Sequence, residues 1–185
     1  MKPLFLLAPL LAAAGSAASA PVVLETRWSE SAARAYVASS DKAKTVRSLP
    51  ELRVYNADNR LVLRSFGLKA GKVGSSIVQA VRRRSPVKGP SLADSMAELE
   101  TRDGKPALAQ AQGRAKITII DYWATWCAPC KALGAELDSW AARQPAGFVQ
   151  IVRAETDFIA AQKAAGHKVH HFIKGPDGKL TEVQD

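Results

Sequence analysis

Apolar and polar positions divide the chain into two patterned stretches with a proline-rich joint between them. Trp28, Ala32 and Tyr36 share one stripe at steps of four, with serines near its start, so residues 29–38 are expected to be helical. Two short apolar runs, residues 52–55 and 61–65, flank the turn-forming sequence Asn56-Ala57-Asp58-Asn59 and predict a pair of strands. Residues 73–84 follow with Val73, Ile77 and Val81 on one face, the pattern of an amphipathic helix. Residues 85–90, Ser-Pro-Val-Lys-Gly-Pro, have the composition of a linker.

The second stretch begins near Ser91. Asp103-Gly104 signals a turn, and residues 117–123, rich in β-branched and aromatic side chains, read as a buried strand. The helix expected over residues 129–142 places Cys130, Leu133, Leu137 and Trp140 on one face, and Pro145 and Gly147 end it. Residues 148–152 read as a short strand. Thr156 or Asp157 can cap a helix running to Ala165, with Gly166 as its stop. Residues 169–173 and 180–183 then predict a hairpin around Gly175-Pro176-Asp177-Gly178. The order in this half is β-α-β-α-β-β.

Composition narrows the class. The chain has 185 residues and 47% hydrophobic side chains, enough for a packed core. Residues 1–20 read as a signal peptide: Lys2 starts it, residues 4–14 are apolar, and Ser16 to Ala20 offer small-residue cleavage sites. The apolar run is short for a membrane span, which favours a periplasmic or secreted location with no stable membrane span after cleavage. The net charge of +9 is scattered apart from Arg82-Arg83-Arg84, so it reads first as solubility. No nucleic-acid motif accompanies it.

The two cysteines carry the chemistry. Cys127 and Cys130 stand two residues apart in Trp126-Cys127-Ala128-Pro129-Cys130-Lys131, between the buried strand and the helix. A bridge across so short a loop removes little chain entropy and is a weak staple, so the spacing argues for reactivity. At a helix start, Cys127 would be stabilised as a thiolate, and the thiolate is the attacking species.

This motif, with Asp121-Tyr122-Trp123-Ala124-Thr125 before it and the element order around it, resembles the thioredoxin family over residues 92–183, particularly its exported bacterial thiol–disulfide branch. The resemblance implies an α/β fold: a thioredoxin-like three-layer arrangement around a central mixed sheet. It implies dithiol–disulfide exchange, with Cys127 as nucleophile, Cys130 as the resolving thiol and Asp121 as proton acceptor beneath the pair. Trp126 would belong to the docking surface. Partners would be protein thiol or disulfide substrates and a membrane-linked electron donor or acceptor, with no cofactor.

Two departures from the family pattern stand out. The cis-proline slot that faces the cysteines falls at Val169, in His167-Lys168-Val169-His170-His171, which leaves the substrate-binding clamp at Val169 without its proline. The helix that closes the fold is also absent after the last strand. The segment from Leu49-Pro50 to residue 84 is similar to the β-β-α second half of a thioredoxin fold, and Pro50 stands at the same offset from Asn59 as Val169 from Gly178. The expected organisation is therefore a signal peptide (1–20), an α/β extension resembling half of the fold (21–90) and a thioredoxin-like domain (91–185). The extension either replaces the missing part of the sheet or stands as an independent hairpin.

The histidines open rival functions. Cys127 and Cys130 with His170 would make a soft copper or zinc site. One histidine beside the sulfurs could instead make thiolate reactivity pH-dependent. A docking protein that keeps the motif and has lost the clamp is the third reading.

Overall fold

The structure is a computed structural model in which residues 21–43, 48–83, 85–111, 115–168, 171–174 and 180–183 are described. Six strands form one mixed sheet. They are β1 (Val22–Trp28), β2 (Glu51–Tyr55), β3 (Leu61–Phe66), β4 (Leu99–Thr101), β5 (Ile117–Trp123) and β6 (Val149–Glu155), in the order β3-β2-β5-β6-β1-β4. The helices are α1 (Glu30–Ala43), α2 (Val73–Arg83), α3 (Leu92–Ala97), α4 (Leu108–Ala111), α5 (Ala128–Ala141) and α6 (Phe158–Ala164). The C-terminal hairpin, β7 (His171–Lys174) with β8 (Leu180–Val183), forms its own two-stranded sheet. Among the described residues no helix is long and apolar enough to cross a membrane.

The centre of the sheet is made by the most apolar strands. β5 and β6 are parallel, with Ile119 opposite Ile151 and Ile120 opposite Val152, and the crossover between them is α5. β2 runs antiparallel to β5 on the other side, Leu52 opposite Asp121 and Val54 opposite Ile119. All five residues of β2 are buried. The turn into β3 is held by Asn56, whose Oδ1 accepts the N–H of Asp58 and of Arg60 at 3.0 Å each, and Asn59 takes φ 58° there.

Alternation of side chains along the strands creates two cores. On one face Leu52, Val54, Ile117, Ile119, Val149 and Ile151 meet Val73 and Ile77 of α2 and Leu133, Leu137 and Trp140 of α5. On the other, Tyr55, Ile120, Tyr122, Val152 and Ala154 meet Leu92 and Met96 of α3, with Tyr36 of α1 and Phe158 of α6 against the same cluster. Helices on both faces of a mixed sheet are the three-layer thioredoxin-like arrangement.

The boundary expected near residue 91 does not separate two sheets. β2 and β3 come from the N-terminal half, yet they pair beside β5 of the C-terminal half, and α2 packs on α5. The β-β-α segment thus belongs to the same sheet as the C-terminal half, beside β5 and α5. The hairpin β7–β8, expected to extend the central sheet, lies outside it. No strand is expected over residues 22–28; β1 buries only Thr26 and Trp28, too little alternation to mark a strand. It is a strand because both its edges are paired, with β6 in parallel and β4 antiparallel.

Candidate active site

Cys127 is the N-cap of α5, and Cys130 lies in its first turn. Cys127 has extended backbone (φ −85°, ψ 91°), and its Sγ accepts the N–H of Cys130 at 3.3 Å. That N–H is one of the donors every helix start leaves without a helical partner. Pro129 falls in the first turn, where a missing N–H removes nothing. The two sulfurs are joined as a disulfide, with Cα atoms 5.3 Å apart, and both residues are buried. Ala124 shares their cluster, with Trp123, Trp126 and Leu49 packed against it.

Leu49 arrives there from the N-terminal half. The Leu49–Pro50 peptide bond is cis, and Pro50 leads directly into β2. Of this pair Leu49 packs against the cysteine cluster, the neighbourhood that the resemblance gave to Val169. Val169 and His170 lie outside the described residues, as does the expected leader. The offset of Pro50 from Asn59 was the signal that could have located the proline, and it was weighed only as evidence of duplication.

The carbonyl of Pro50 accepts the N–H of Gly67 at 2.9 Å, and Phe66 stands opposite Glu51 in the β2–β3 ladder. The Phe66 ring is 54% exposed although it ends a paired strand, and the Arg64 guanidinium lies 4.9 Å from its centroid. Sequence reasoning missed Phe66, whose place next to the Leu49–Pro50 turn comes only from strand register.

Behind Pro50 is a buried ionic network. Glu51 Oε1 accepts Arg53 Nε at 2.6 Å and Arg64 Nε at 2.9 Å. Arg53 Nη1 donates to Ser95 Oγ at 2.8 Å and to the Tyr122 hydroxyl at 3.0 Å. A lone buried carboxylate is costly, and two guanidinium partners offset that cost. The network ties the start of β2 to β3, β5 and α3.

Asp121 lies on the α5 side of β5 and is 1% exposed. Its Oδ1 has no hydrogen-bond partner. Burial pushes its pKa up to about 7, against the pull of the Arg153 charge beside it, while Asp138 and Glu25 push the same way as burial. Arg153 is directly opposite Asp121 in β6, and its Nη2 reaches Asp138 Oδ1 at 2.6 Å and the Gly134 carbonyl at 3.4 Å. Gly134 is one turn beyond Cys130, and a Cβ there would stand 3.0 Å from Arg153 Nη1, so the guanidinium would have to give by a few tenths of an ångström.

Trp126 is fixed from the other side. Its Nε1 donates to Asp157 Oδ1 at 3.1 Å, and the same oxygen caps α6 through the N–H of Ala160 at 2.9 Å. The Trp126 ring meets Phe158 edge-on, at 5.2 Å between centroids. Among the described residues no three His, Cys, Asp or Glu side chains gather to hold a metal; His170 of the copper or zinc alternative is outside that set.

With this geometry in place, the comparisons agree. The Thioredoxin family model matches residues 101–172. A thioredoxin of Malassezia sympodialis is 36% identical over 56 residues, 29% of this chain and 53% of that protein. Thioredoxin-1 of Schizosaccharomyces pombe is 29% identical over 68 residues, 36% of this chain and 65% of that protein. The chain therefore spans between half and two thirds of the length of these relatives. These matches support a thioredoxin-like family. No solved structure matches. The matched segment holds the cysteine pair and Asp121 but not Leu49, which the fold brings to the cysteine cluster from outside it.

Proposed function

We propose that the protein is an exported thiol–disulfide oxidoreductase that exchanges disulfides with protein substrates through Cys127 and Cys130. The observation that carries this reading is the disulfide at the α5 N-terminus, with Cys127 Sγ facing the Cys130 N–H and with Leu49–Pro50 alongside. In the reduced state the same N–H and the helix dipole favour a thiolate on Cys127. That thiolate attacks one sulfur of a substrate disulfide, and the other substrate sulfur leaves as a thiolate. Cys130 then gives its proton to the Asp121 carboxylate and attacks the Cys127 sulfur. The second substrate thiolate leaves, and the pair is oxidised by two electrons to the disulfide in the structure. A carboxyl titrating near 7 can both take and return a proton at neutral pH.

Leu49 and Trp126 pack against the cysteine cluster, and together with the exposed Phe66, opposite Glu51 in the ladder, they would form the rim on which a substrate chain lies. The docking-protein alternative rested on a clamp without proline, and Leu49, which packs on the cysteine cluster and directly precedes Pro50, favours the redox reading over it. The leader-like composition of residues 1–20 supports export, where a membrane-linked donor or acceptor would reset the pair.

The test is alkylation of the reduced protein across pH. Cys127 is expected to react at neutral pH as a thiolate, ahead of Cys130, and Cys130→Ser is expected to trap substrates through Cys127. An inert, un-ionised Cys127 at pH 7 refutes the proposal.

A further inference from the structure

A groove of about 870 Å³ runs along the outer side of α2, separate from the cysteine site. Lys69 and Lys72 stand at one end and Arg82 and Arg83 at the other, all four exposed. Among the described residues none of the four makes an ion pair. Glu136, the carboxylate that reaches this region, is already committed to the N–H groups of Gly71 and Val73 at 2.9 Å each. The groove is therefore a concave surface with four positive charges, of which the single Glu136 carboxylate offsets at most one. Gln79 lines its middle with further hydrogen-bonding capacity, and Leu68 and Val78 give it an apolar wall.

We infer that this groove binds an extended acidic polypeptide segment of a protein partner. The dimensions fit: the 11 residues of α2 span roughly 16 Å, and an extended chain rises about 3.3 Å per residue, so about five residues cover the distance between the cation pairs. The two arginines can grip carboxylates bidentately, and the two lysines act as point charges at the other end. The concave form and the apolar wall suit a single chain with mixed side chains. A bilayer surface presents a flat array of headgroups and would touch the rim of such a groove, not its floor. The groove also begins at Leu68, directly after Gly67, whose N–H is bonded to the Pro50 carbonyl. A partner seated at the rim of Phe66 and Leu49 would continue into it; this last step rests on the redox reading, whereas the binding itself does not.

The experiment uses the full oxidised chain, in which the cysteines are silent. Fluorescence anisotropy would follow a labelled penta-glutamate peptide at low salt. Saturable binding is expected, weakening steeply as ionic strength rises. Lys69→Glu/Lys72→Glu/Arg82→Glu/Arg83→Glu is expected to weaken it more than tenfold. Reversing four exposed cations elsewhere, Arg60, Lys88, Arg102 and Lys116, should change it less than threefold. If the fourfold reversal fails to fold, the glutamine version at the same positions serves instead. Equal losses in the two variants would reduce the effect to net charge and overturn the proposal. So would groove-dependent binding to phosphatidylglycerol vesicles with none to the peptide. Alkylation of Cys127 is read separately, so failure of the groove and failure of the redox site remain distinguishable.

Discussion

Asp121 holds a proton at a pH where an ordinary carboxyl has lost it, because water is excluded and Oδ1 has no partner. Its folded pKa of about 7 lies above the model value of 3.8. Between those values the folded chain binds a proton that the unfolded chain has released, so stability falls as pH rises through this window and levels off above it. Asp121→Asn removes the titration. The variant is expected to gain on the order of 2–4 kcal/mol over the parent at pH 8, and nothing below pH 4, in urea unfolding of the oxidised protein. A difference independent of pH would show that Asp121 does not carry the extra proton. The same variant should resolve mixed disulfides more slowly, roughly tenfold or more, for want of an acceptor for the Cys130 proton. Phe66 offers a second test at this scale. Phe66→Ser is expected to raise KM for a protein disulfide several-fold while leaving reaction with a small-molecule disulfide unchanged, because only a polypeptide spans the rim. Asp121 was readable from its place before the motif, as were both cysteines and Trp126. Leu49 was not, since nothing local marks a residue that pairing of a distant strand brings to the cysteine cluster, and Phe66 was not, since only register sets it opposite Glu51.

At the scale of elements, α5 does two tasks at its two ends. Its N-terminus presents Cys127, and its C-terminal half receives α2 on the Trp140 side. The contact is close: a Cβ added at Gly74 of α2 would overlap the Trp140 indole. In an open helix Gly→Ala gains up to about 1 kcal/mol through helix propensity. Overpacking costs about 1–3 kcal/mol, so here the sign should reverse. Gly74→Ala is expected to lower the urea midpoint, and an unchanged or higher midpoint would mean that the two helices separate easily. The elements with strong periodicity were legible to within a few residues: α2, α5, β2, β3 and β5. β1, α3, β4 and α4 were not. They are short or weakly alternating, and partners from distant parts of the chain make them, as the Thr26–Thr101 and Thr26–Ala154 pairings of β1 show.

At the scale of the whole molecule, neither half can complete the sheet. The C-terminal half supplies β5, α5 and β6, and the N-terminal half supplies β1 on one flank and β2, β3 and α2 on the other. Residues 91–185 expressed alone should leave Ile119, Ile120 and Val152 without their neighbouring strands and α5 without α2. No cooperative urea transition is expected for that fragment, and mixing it with residues 21–90 is expected to restore one. A fragment that folds alone with a sharp transition would contradict this account. The placing of the cysteine motif at a helix start, the helix that follows it and the buried strand before it were settled by neighbours in the chain, because capping and periodicity act over a few residues. Which distant segment stands beside the sulfurs was not settled that way. Pro50 and the Val169 segment have similar surroundings in sequence, and only the hydrogen-bonded pairing of β2 with β5 places Leu49–Pro50 against the cysteine cluster, because a strand's position in a sheet depends on partners far away in the chain.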